Sequence, residues 1–182
     1  MLTLSELKKI CEDAQVLDYC LPILDDPKFL NCPLNLESSK PYSYVGGLIH
    51  YTNEIISSGI LICSLYKNYN SYAINIREFV LSAIWHNYGK LVNYECNSED
   101  LTCWTYDQQS SKIETAYTSA KHFERFVESL PNSSETQKTL EVSFTNVTHN
   151  ILSTLTLTPL TIEAHILNSV IKLSEELYAI NK

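Results

Sequence analysis

The chain has 182 residues, of which 45% are hydrophobic and 19% are charged, and this composition excludes an intrinsically disordered protein. Its formal net charge of −8 at pH 7 argues against an extensive nucleic-acid-binding surface, because such a surface needs many lysines and arginines. A small cationic pocket for one or two phosphates remains compatible with that charge. The sequence carries neither a signal-peptide pattern nor an apolar run of about 18 residues. We therefore expect one cytoplasmic domain that does not associate with a membrane.

The cysteines do not follow the spacing of a disulfide framework or a zinc site. No two of them form a Cys-x-x-Cys pair, and Cys96 and Cys103 lack a second pair that would complete a zinc site. We expect all six to be reduced thiols. They are Cys11, Cys20, Cys32, Cys63, Cys96 and Cys103.

The N-terminal quarter of the chain predicts one helix followed by irregular structure. Apolar residues at helical spacing predict an amphipathic helix over residues 3–18, with Thr3 or Ser5 as its N-cap. Residues 19–44 contain four of the six prolines, which indicates short helical turns and loops. We expect residues 1–44 to lead into the core of a single domain formed by residues 45–182.

The next segments predict two long buried helices. Residues 45–66 and 74–85 are strongly apolar, and each is long enough for several helical turns. Gly89 follows the second segment and is predicted to end that helix in a left-handed cap.

The second half of the chain predicts one polar connection and three further helices. Residues 92–111 are polar and indicate a long surface loop that can include a short helix. Helices are predicted over residues 112–130, 137–153 and 159–180. The predicted fold class is therefore an all-α bundle of six or seven helices.

Three of the four glycines lie in two short signatures that each contain a histidine. The first is Gly-Gly-Leu-Ile-His at residues 46–50, and the second is His-Asn-Tyr-Gly-Lys at residues 86–90. Each signature adjoins an apolar helical run, an arrangement that can bring two histidines to one metal or phosphate site. Asn87 stands where metal chemistry would favour an aspartate.

These signatures resemble two motifs of the HD-domain phosphohydrolases. Residues 43–52, SYVGGLIHYT, are similar to the family segment Y-x-G-G-L-x-x-H-T, and residues 83–90, AIWHNYGK, resemble the hallmark h-x-H-D-h-G-K. Residues 148–153 are similar to a ligand-bearing helix of the family, and residues 159–164 to the opening of its last helix. The likeness extends over roughly residues 20 to 180 and is nearest to the 3′–5′ exoribonuclease branch.

The resemblance implies an all-α bundle that holds one or two divalent metals and hydrolyses phosphoesters. Position by position, it implies that His50 and His86 are the first two metal ligands. Asn87 occupies the position of the bridging carboxylate, and Lys90 that of the cation which meets the substrate phosphate. The implied cofactor is a divalent transition metal such as Zn, Mn, Fe or Ni, and a protein without metal is the open alternative.

Four further residues are weaker candidates. The resemblance matches His122 with the next ligand histidine, although a solvated helix face explains it equally well, and it places His149 in the following ligand helix. Tyr51 and Tyr88 adjoin the two signatures and could stack a nucleobase, yet aromatic residues in such positions commonly belong to the core.

The sequence departs from the family pattern at three ligand positions. Asn87 replaces an aspartate, Thr154 stands where a histidine is expected, and Ile171 falls near the final aspartate. Glu175 lies one turn beyond Ile171 and is a weak substitute. An amide supplies no negative charge and cannot act as a general base. A pocket with histidines, Lys90 and no aspartate is suited to binding an anion rather than cleaving it.

The sequence therefore predicts a degenerate HD-domain protein, a pseudoenzyme, that binds a nucleotide or short oligonucleotide with weak or no hydrolysis. One alternative is an active metal-dependent phosphohydrolase with an atypical histidine-rich site. Another is a protein-interaction module, including a homodimer, that retains only the scaffold and uses residues 92–111 as its surface. The composition is also compatible with a phage or mobile-element protein.

Overall fold

The computed structural model describes residues 3–69, 73–96, 101–106, 112–131, 133–155 and 158–180. Helices dominate these ranges, so the predicted all-α fold class is confirmed. There are more helical segments than predicted, because two short helices are added and the helix predicted over residues 137–153 is divided in two. The helices are α1 Leu4–Asp13, α2 Leu17–Leu24, α3 Pro27–Asn31, α4 Gly47–Tyr69, α5 Ile76–Trp85, α6 Tyr88–Asn93, α7 Lys112–Ser129, α8 Ser133–Leu140, α9 Phe144–Ser153 and α10 Ile162–Ile180, and the strands are β1 Tyr94–Cys96 and β2 Trp104–Tyr106.

The N-terminal helix begins where the sequence predicts, but the prediction that it extends to residue 18 is wrong, because the backbone turns at Gln15, where φ is 59°, and α2 follows. The Thr3 hydroxyl accepts a hydrogen bond from the backbone N–H of Glu6 at 3.2 Å, and the Glu6 carboxylate accepts one from the backbone N–H of Thr3 at 2.6 Å. This reciprocal pair is a capping box, which satisfies two backbone donors that a helix start leaves open. Leu7 and Cys11 then bury the apolar face of α1.

The core forms where α4, α5, α9 and α10 pack together. Every residue of helix α5 from Glu78 to Trp85 is buried, because neighbouring helices cover it. Residues from α1 to α3, such as Leu7, Ile23 and Phe29, belong to the same hydrophobic cluster. The lead-in segment is therefore packed against the helices that carry both signatures.

Two expectations for the second half of the chain are wrong in detail. The polar segment 92–111 includes an antiparallel hairpin in which Tyr94 pairs with Tyr106 and Cys96 with Trp104. Residues 97–100 and 107–111 lie outside the described ranges. The helix predicted over residues 137–153 is divided into α8 and α9, because the backbone reverses at Glu141, where φ is 53°.

Gly89 does not end α5 as predicted. Helix α5 ends at Trp85 with His86 as its C-cap, and Gly89 lies inside the following short helix α6. A Cβ atom at Gly89 would lie 2.2 Å from the backbone oxygen of Thr115 in α7. The glycine is therefore required by the close approach of α6 to α7 rather than by left-handed geometry.

Part of the apolar surface of the described ranges lies on α4 and α10. Leu61 and Leu65 are exposed on α4, and Leu173 and Leu177 on α10. The helices that the structure describes include none that is long and apolar enough to cross a bilayer.

Candidate functional site around His50 and His86

Helix α4 presents His50 from a start that is packed tightly against the preceding loop. A Cβ atom at Gly47 would lie 2.0 Å from the backbone oxygen of Tyr42, so only glycine allows this approach. The backbone N–H of Leu48 donates to the carbonyl of Cys32 at 2.9 Å, which is a second contact between the helix start and the preceding segment. The side chain of His50, one turn into the helix, is 29% exposed.

Both ring nitrogens of His50 have protein partners. Nε2 lies 3.1 Å from the Oε1 atom of Glu54, one turn further along α4. Nδ1 is hydrogen-bonded to the hydroxyl of Tyr44. The neutral tautomer that satisfies both contacts carries its proton on Nε2, donates to Glu54 and accepts from Tyr44. His50 therefore links a tyrosine hydroxyl to a carboxylate.

The Glu54 carboxylate is in turn held by groups from two other parts of the chain. Its Oε2 atom accepts from the hydroxyls of Tyr42 and Ser174, the latter at 2.9 Å. Burial, and then the hydrogen bond to Glu54, raises the pKa of Tyr42, so this hydroxyl stays protonated. A cleft of about 290 Å³ between α4 and α10 opens beside these groups, and Leu177 and Tyr178 also line it.

His86 has a different environment, because it is only 4% exposed. Its Nδ1 atom lies 2.8 Å from the carbonyl oxygen of Ala83 and must donate to it. Burial lowers the pKa of His86 to about 4, and the nearby charge of Lys90 acts in the same direction. The ring is therefore neutral at pH 7, and its Nε2 atom is a hydrogen-bond acceptor.

The side-chain amide of Asn87 donates a hydrogen bond to that nitrogen. Its amide nitrogen lies 2.6 Å from the Nε2 atom of His86. The amide oxygen cannot take this place, because it would face the lone pair of a ring whose proton is on Nδ1. The residue at the expected carboxylate position thus blocks the nitrogen through which His86 would bind a metal.

Two tyrosine rings connect the surroundings of the two histidines. The ring of Tyr42 lies 5.5 Å from that of His50 and 5.3 Å from that of Tyr51, measured between centroids. The Tyr51 ring lies 5.9 Å from that of His86. Burial raises the pKa of Tyr51, which is 3% exposed and belongs to the core. A row of four rings therefore runs from the surface to the buried turn.

Lys90 brings positive charge to the buried side of this row. Its ammonium group donates to the carbonyl oxygen of Leu34 and lies 5.9 Å from the centroid of the Tyr94 ring. Burial raises the pKa of the Cys32 thiol to about 12, while the charges of Lys90 and Lys28 act in the opposite direction. The charge of Lys90 also lowers the pKa of His86, while the carboxylate of Asp26 acts on Cys32 against the two lysines.

A buried serine of α7, which the sequence analysis does not identify, holds the turn between α5 and α6. The hydroxyl of Ser119 accepts from the backbone N–H of Gly89 at 2.7 Å and donates to the carbonyl of His86 at 3.0 Å. Ser119 is fully buried. No motif marks this residue, because its partners are about 30 positions away and both are backbone atoms.

The other predicted site residues lie in different surroundings. His122 and Tyr88 are in contact, with ring centroids 5.4 Å apart, and burial lowers the pKa of His122, as do the charges of Arg125 and Lys121. His149 accepts a hydrogen bond at its Nε2 atom from the backbone N–H of Leu160, 3.1 Å away. His149 therefore tethers the segment that leads into α10.

Thr154, Ile171 and Glu175, which the sequence analysis discusses for the missing ligand positions, lie at a helix end, against the core and on the surface. Thr154 is the C-cap of α9 and its hydroxyl donates to the carbonyl of Ile151 at 2.8 Å. Ile171 packs against the hydrophobic core. Glu175 is exposed on α10.

A second carboxylate missed by the sequence analysis is buried beside α9. Glu78 of α5 is 5% exposed and accepts from the backbone N–H of Ser143 at 2.7 Å and from the amide of Asn146 at 3.1 Å. Burial raises the pKa of Glu78. These bonds join α5 to the first turn of α9, which is a structural role.

The described side chains, as they are arranged, do not fit a metal centre. Within the ranges given above, no three histidine, cysteine, aspartate or glutamate side chains are grouped so that they could hold an ion. Both nitrogens of His50 and both of His86 are hydrogen-bonded. Metal binding through His86 would require Asn87 to rotate away. The metal site therefore stays a prediction.

Comparisons with protein-family models, with curated proteins and with solved structures found no match to this chain. The resemblance to HD-domain phosphohydrolases consequently rests on the two signatures and the two weaker segments that follow them.

Proposed function

We propose that this chain is a degenerate HD-like domain that binds a phosphate-bearing ligand, a nucleotide or short oligonucleotide, with weak or no hydrolysis. The observation that carries the proposal is the hydrogen bond from the Asn87 amide to the Nε2 atom of His86. Hydrolysis with a metal-activated water needs that nitrogen for the metal and a carboxylate at the Asn87 position. Here the nitrogen accepts a hydrogen bond from the Asn87 amide, and that neighbouring side chain has no negative charge.

The charge distribution supports binding of an anion near the same turn. The charge of Lys90 acts to lower the pKa of both His86 and Cys32, and the charge of Lys28 acts to lower the pKa of Cys32 as well. A lysine next to aromatic rings in a partly buried position attracts phosphate oxygens more strongly than an exposed lysine does. Phosphate recognition by a few local groups is compatible with the overall charge of −8.

Equilibrium binding to a panel of phosphate compounds tests the proposal. Titration calorimetry with a nucleoside triphosphate, a cyclic nucleotide, a dinucleotide and inorganic phosphate should find at least one ligand with a submillimolar Kd. Lys90→Met keeps the length of the side chain but removes its charge, and we expect it to weaken that ligand by about tenfold or more. Lys172→Met, an exposed lysine of α10, is the matched control and should leave Kd unchanged. Binding no tighter than millimolar across the panel would refute the proposal.

The Asn87→Asp variant tests the reason given for weak hydrolysis. An aspartate cannot donate to His86, so it would free the Nε2 atom and restore a carboxylate. We expect metal analysis of the purified variant to find more bound transition metal than in the wild type, together with hydrolysis of a generic phosphodiester. If the wild type already contains stoichiometric metal and hydrolyses the same compound, and His86→Ala abolishes this activity, the chain is an active phosphohydrolase instead.

A further inference from the structure

The side chains at the exposed end of the ring row form a hydrogen-bonded relay. Tyr44 is 43% exposed, and its hydroxyl is bonded to the Nδ1 atom of His50. The opposite nitrogen of His50 lies 3.1 Å from Glu54, whose other oxygen is held by Tyr42 and Ser174. A hydroxyl, an imidazole and an oriented carboxylate thus follow one another, which is the order of groups that activates a nucleophile.

We propose that Tyr44 is a nucleophile for acyl transfer from activated esters, with His50 as its general base and Glu54 as the residue that orients His50. This activity goes beyond the phosphate-binding function and does not depend on it, because it uses no atom of His86, Asn87 or Lys90.

The protonation states are consistent with this chemistry. Burial raises the pKa of Tyr44, and the charge of Glu54 acts in the same direction. The hydroxyl therefore keeps its proton at pH 7 and requires a base when it attacks. The neutral tautomer of His50 already accepts that proton's hydrogen bond on Nδ1. Glu54 then stabilises the imidazolium ion that forms, because its carboxylate faces Nε2.

The steps balance in atoms and charge. The Oη atom of Tyr44 bonds to the ester carbonyl carbon while its proton moves to the Nδ1 atom of His50. The bond from the carbonyl carbon to the alcohol oxygen breaks, and the leaving alcohol takes that proton. Water then attacks the acyl-tyrosine, His50 accepts a proton from the water, and the Tyr44 oxygen leaves with that proton as the acid departs. No oxidant, reductant or metal is involved.

The neighbouring cleft indicates the kind of acyl group. Leu173 and Leu177 are apolar residues of its lining, and Glu54 and Tyr178 are polar ones. The Tyr44 ring lies 6.4 Å from that of Tyr42, measured between centroids, and Tyr42 is one of the residues that line the cleft. We therefore expect esters of short, uncharged, apolar acids to react faster than esters of charged acids, since the nearby carboxylate repels an anion.

The test uses the intact chain and 4-nitrophenyl acetate. Release of nitrophenolate is followed by absorbance, and peptide mass spectrometry measures acetylation at each tyrosine. We expect Tyr44 to be acetylated at least about tenfold faster than Tyr117, which is 59% exposed on α7 and serves as an internal reference. Equal rates at these two tyrosines would overturn the proposal without any variant.

Three variants then separate nucleophile, base and orienting residue. Tyr44→Phe keeps the ring and should abolish the fast phase of nitrophenolate release. His50→Gln should reduce acetylation of Tyr44 to the Tyr117 rate, and Glu54→Gln should reduce it several-fold while Tyr117 is unaffected. Persistence of the fast phase in Tyr44→Phe, with acetyl found on His50, would contradict the assignment because the imidazole would then be the nucleophile. An unchanged Tyr44 rate in folded His50→Gln would contradict it equally.

Discussion

The two histidines of this chain occupy similar signatures but opposite environments. His50 is partly exposed and pairs with a carboxylate and a tyrosine hydroxyl. His86 is buried and pairs with a backbone carbonyl and a side-chain amide. The ring of His50 lies beside a carboxylate, whereas the ring of His86 is buried, has neutral hydrogen-bond partners and stays neutral itself. The hydrogen-bonding partners of each ring, rather than the motif that contains it, therefore decide what the ring can do.

The largest expected effect is on the free energy of unfolding when each histidine ring is removed in turn. His86→Ala should lower the free energy of unfolding by about 3 kcal/mol, because it leaves a cavity and an unsatisfied carbonyl at Ala83. His50→Ala should cost less than about 1 kcal/mol, since the ring is partly exposed and its partners can reach water. Urea denaturation of both variants under the same conditions measures the difference. Equal losses would mean that the contrast in burial has no energetic consequence.

The stability of the fold should depend on pH through His86. The pKa of His86 falls from 6.5 to about 4 on folding, so between these values the unfolded chain binds more protons than the folded one. The stabilisation is complete above pH 6.5 and is lost as the pH falls towards 4. Between pH 7.5 and 4.5 the protonation of this residue should lower the free energy of unfolding by roughly 2 to 3 kcal/mol.

His86→Asn serves as the reference for that measurement, because its amide can still donate to Ala83 but does not titrate. The raised pKa of Glu78 acts in the opposite direction, since it favours the folded state at low pH. Both proteins retain Glu78, so the difference between their pH profiles isolates His86. Parallel profiles over pH 4.5–7.5 would show that His86 is protonated as easily in the folded chain as in the unfolded one.

A smaller effect is expected at the serine that fixes the buried turn. Ser119→Ala removes one acceptor from Gly89 and one donor to His86, and we expect a loss of about 1.5 kcal/mol. Ser129→Ala, at an exposed position of the same helix, is the matched control and should change stability by less than about 0.5 kcal/mol. Thermal and urea unfolding of both variants provide the comparison. A loss as small as that of the control would show that the turn does not need the serine.

Local signals explain which parts of the fold can be predicted from the sequence. Thr3 with Glu6 marks the start of α1, and the apolar spacing of residues 45–66 and 74–85 marks α4 and α5. The hairpin is not predicted, because its two three-residue strands are too short to show an alternating pattern. The break before α9 is also missed, since neither glycine nor proline stands at the reversal near Glu141.

The candidate site is also predictable only in part, because only contacts between residues close in sequence leave a local signal. Glu54 is not identified by the sequence analysis, although its spacing of four residues from His50 in a helix is a signal that could have predicted the pair. The contacts of Ser174 with Glu54 and of Ser119 with Gly89 join distant positions through single hydroxyls. Such pairings depend on how helices pack, and no residue pattern within either helix encodes them.

The stacking of Trp85 has a practical consequence for all these measurements. This indole directly precedes His86, is 2% exposed, and donates its Nε1–H to the carbonyl of Tyr19 at 3.0 Å. Its ring also lies against Phe126, with centroids 5.4 Å apart. Indole emission depends on local polarity, so the chain carries a fluorophore beside its buried imidazole. Optical titration can thus follow proton uptake or anion arrival there without any attached dye.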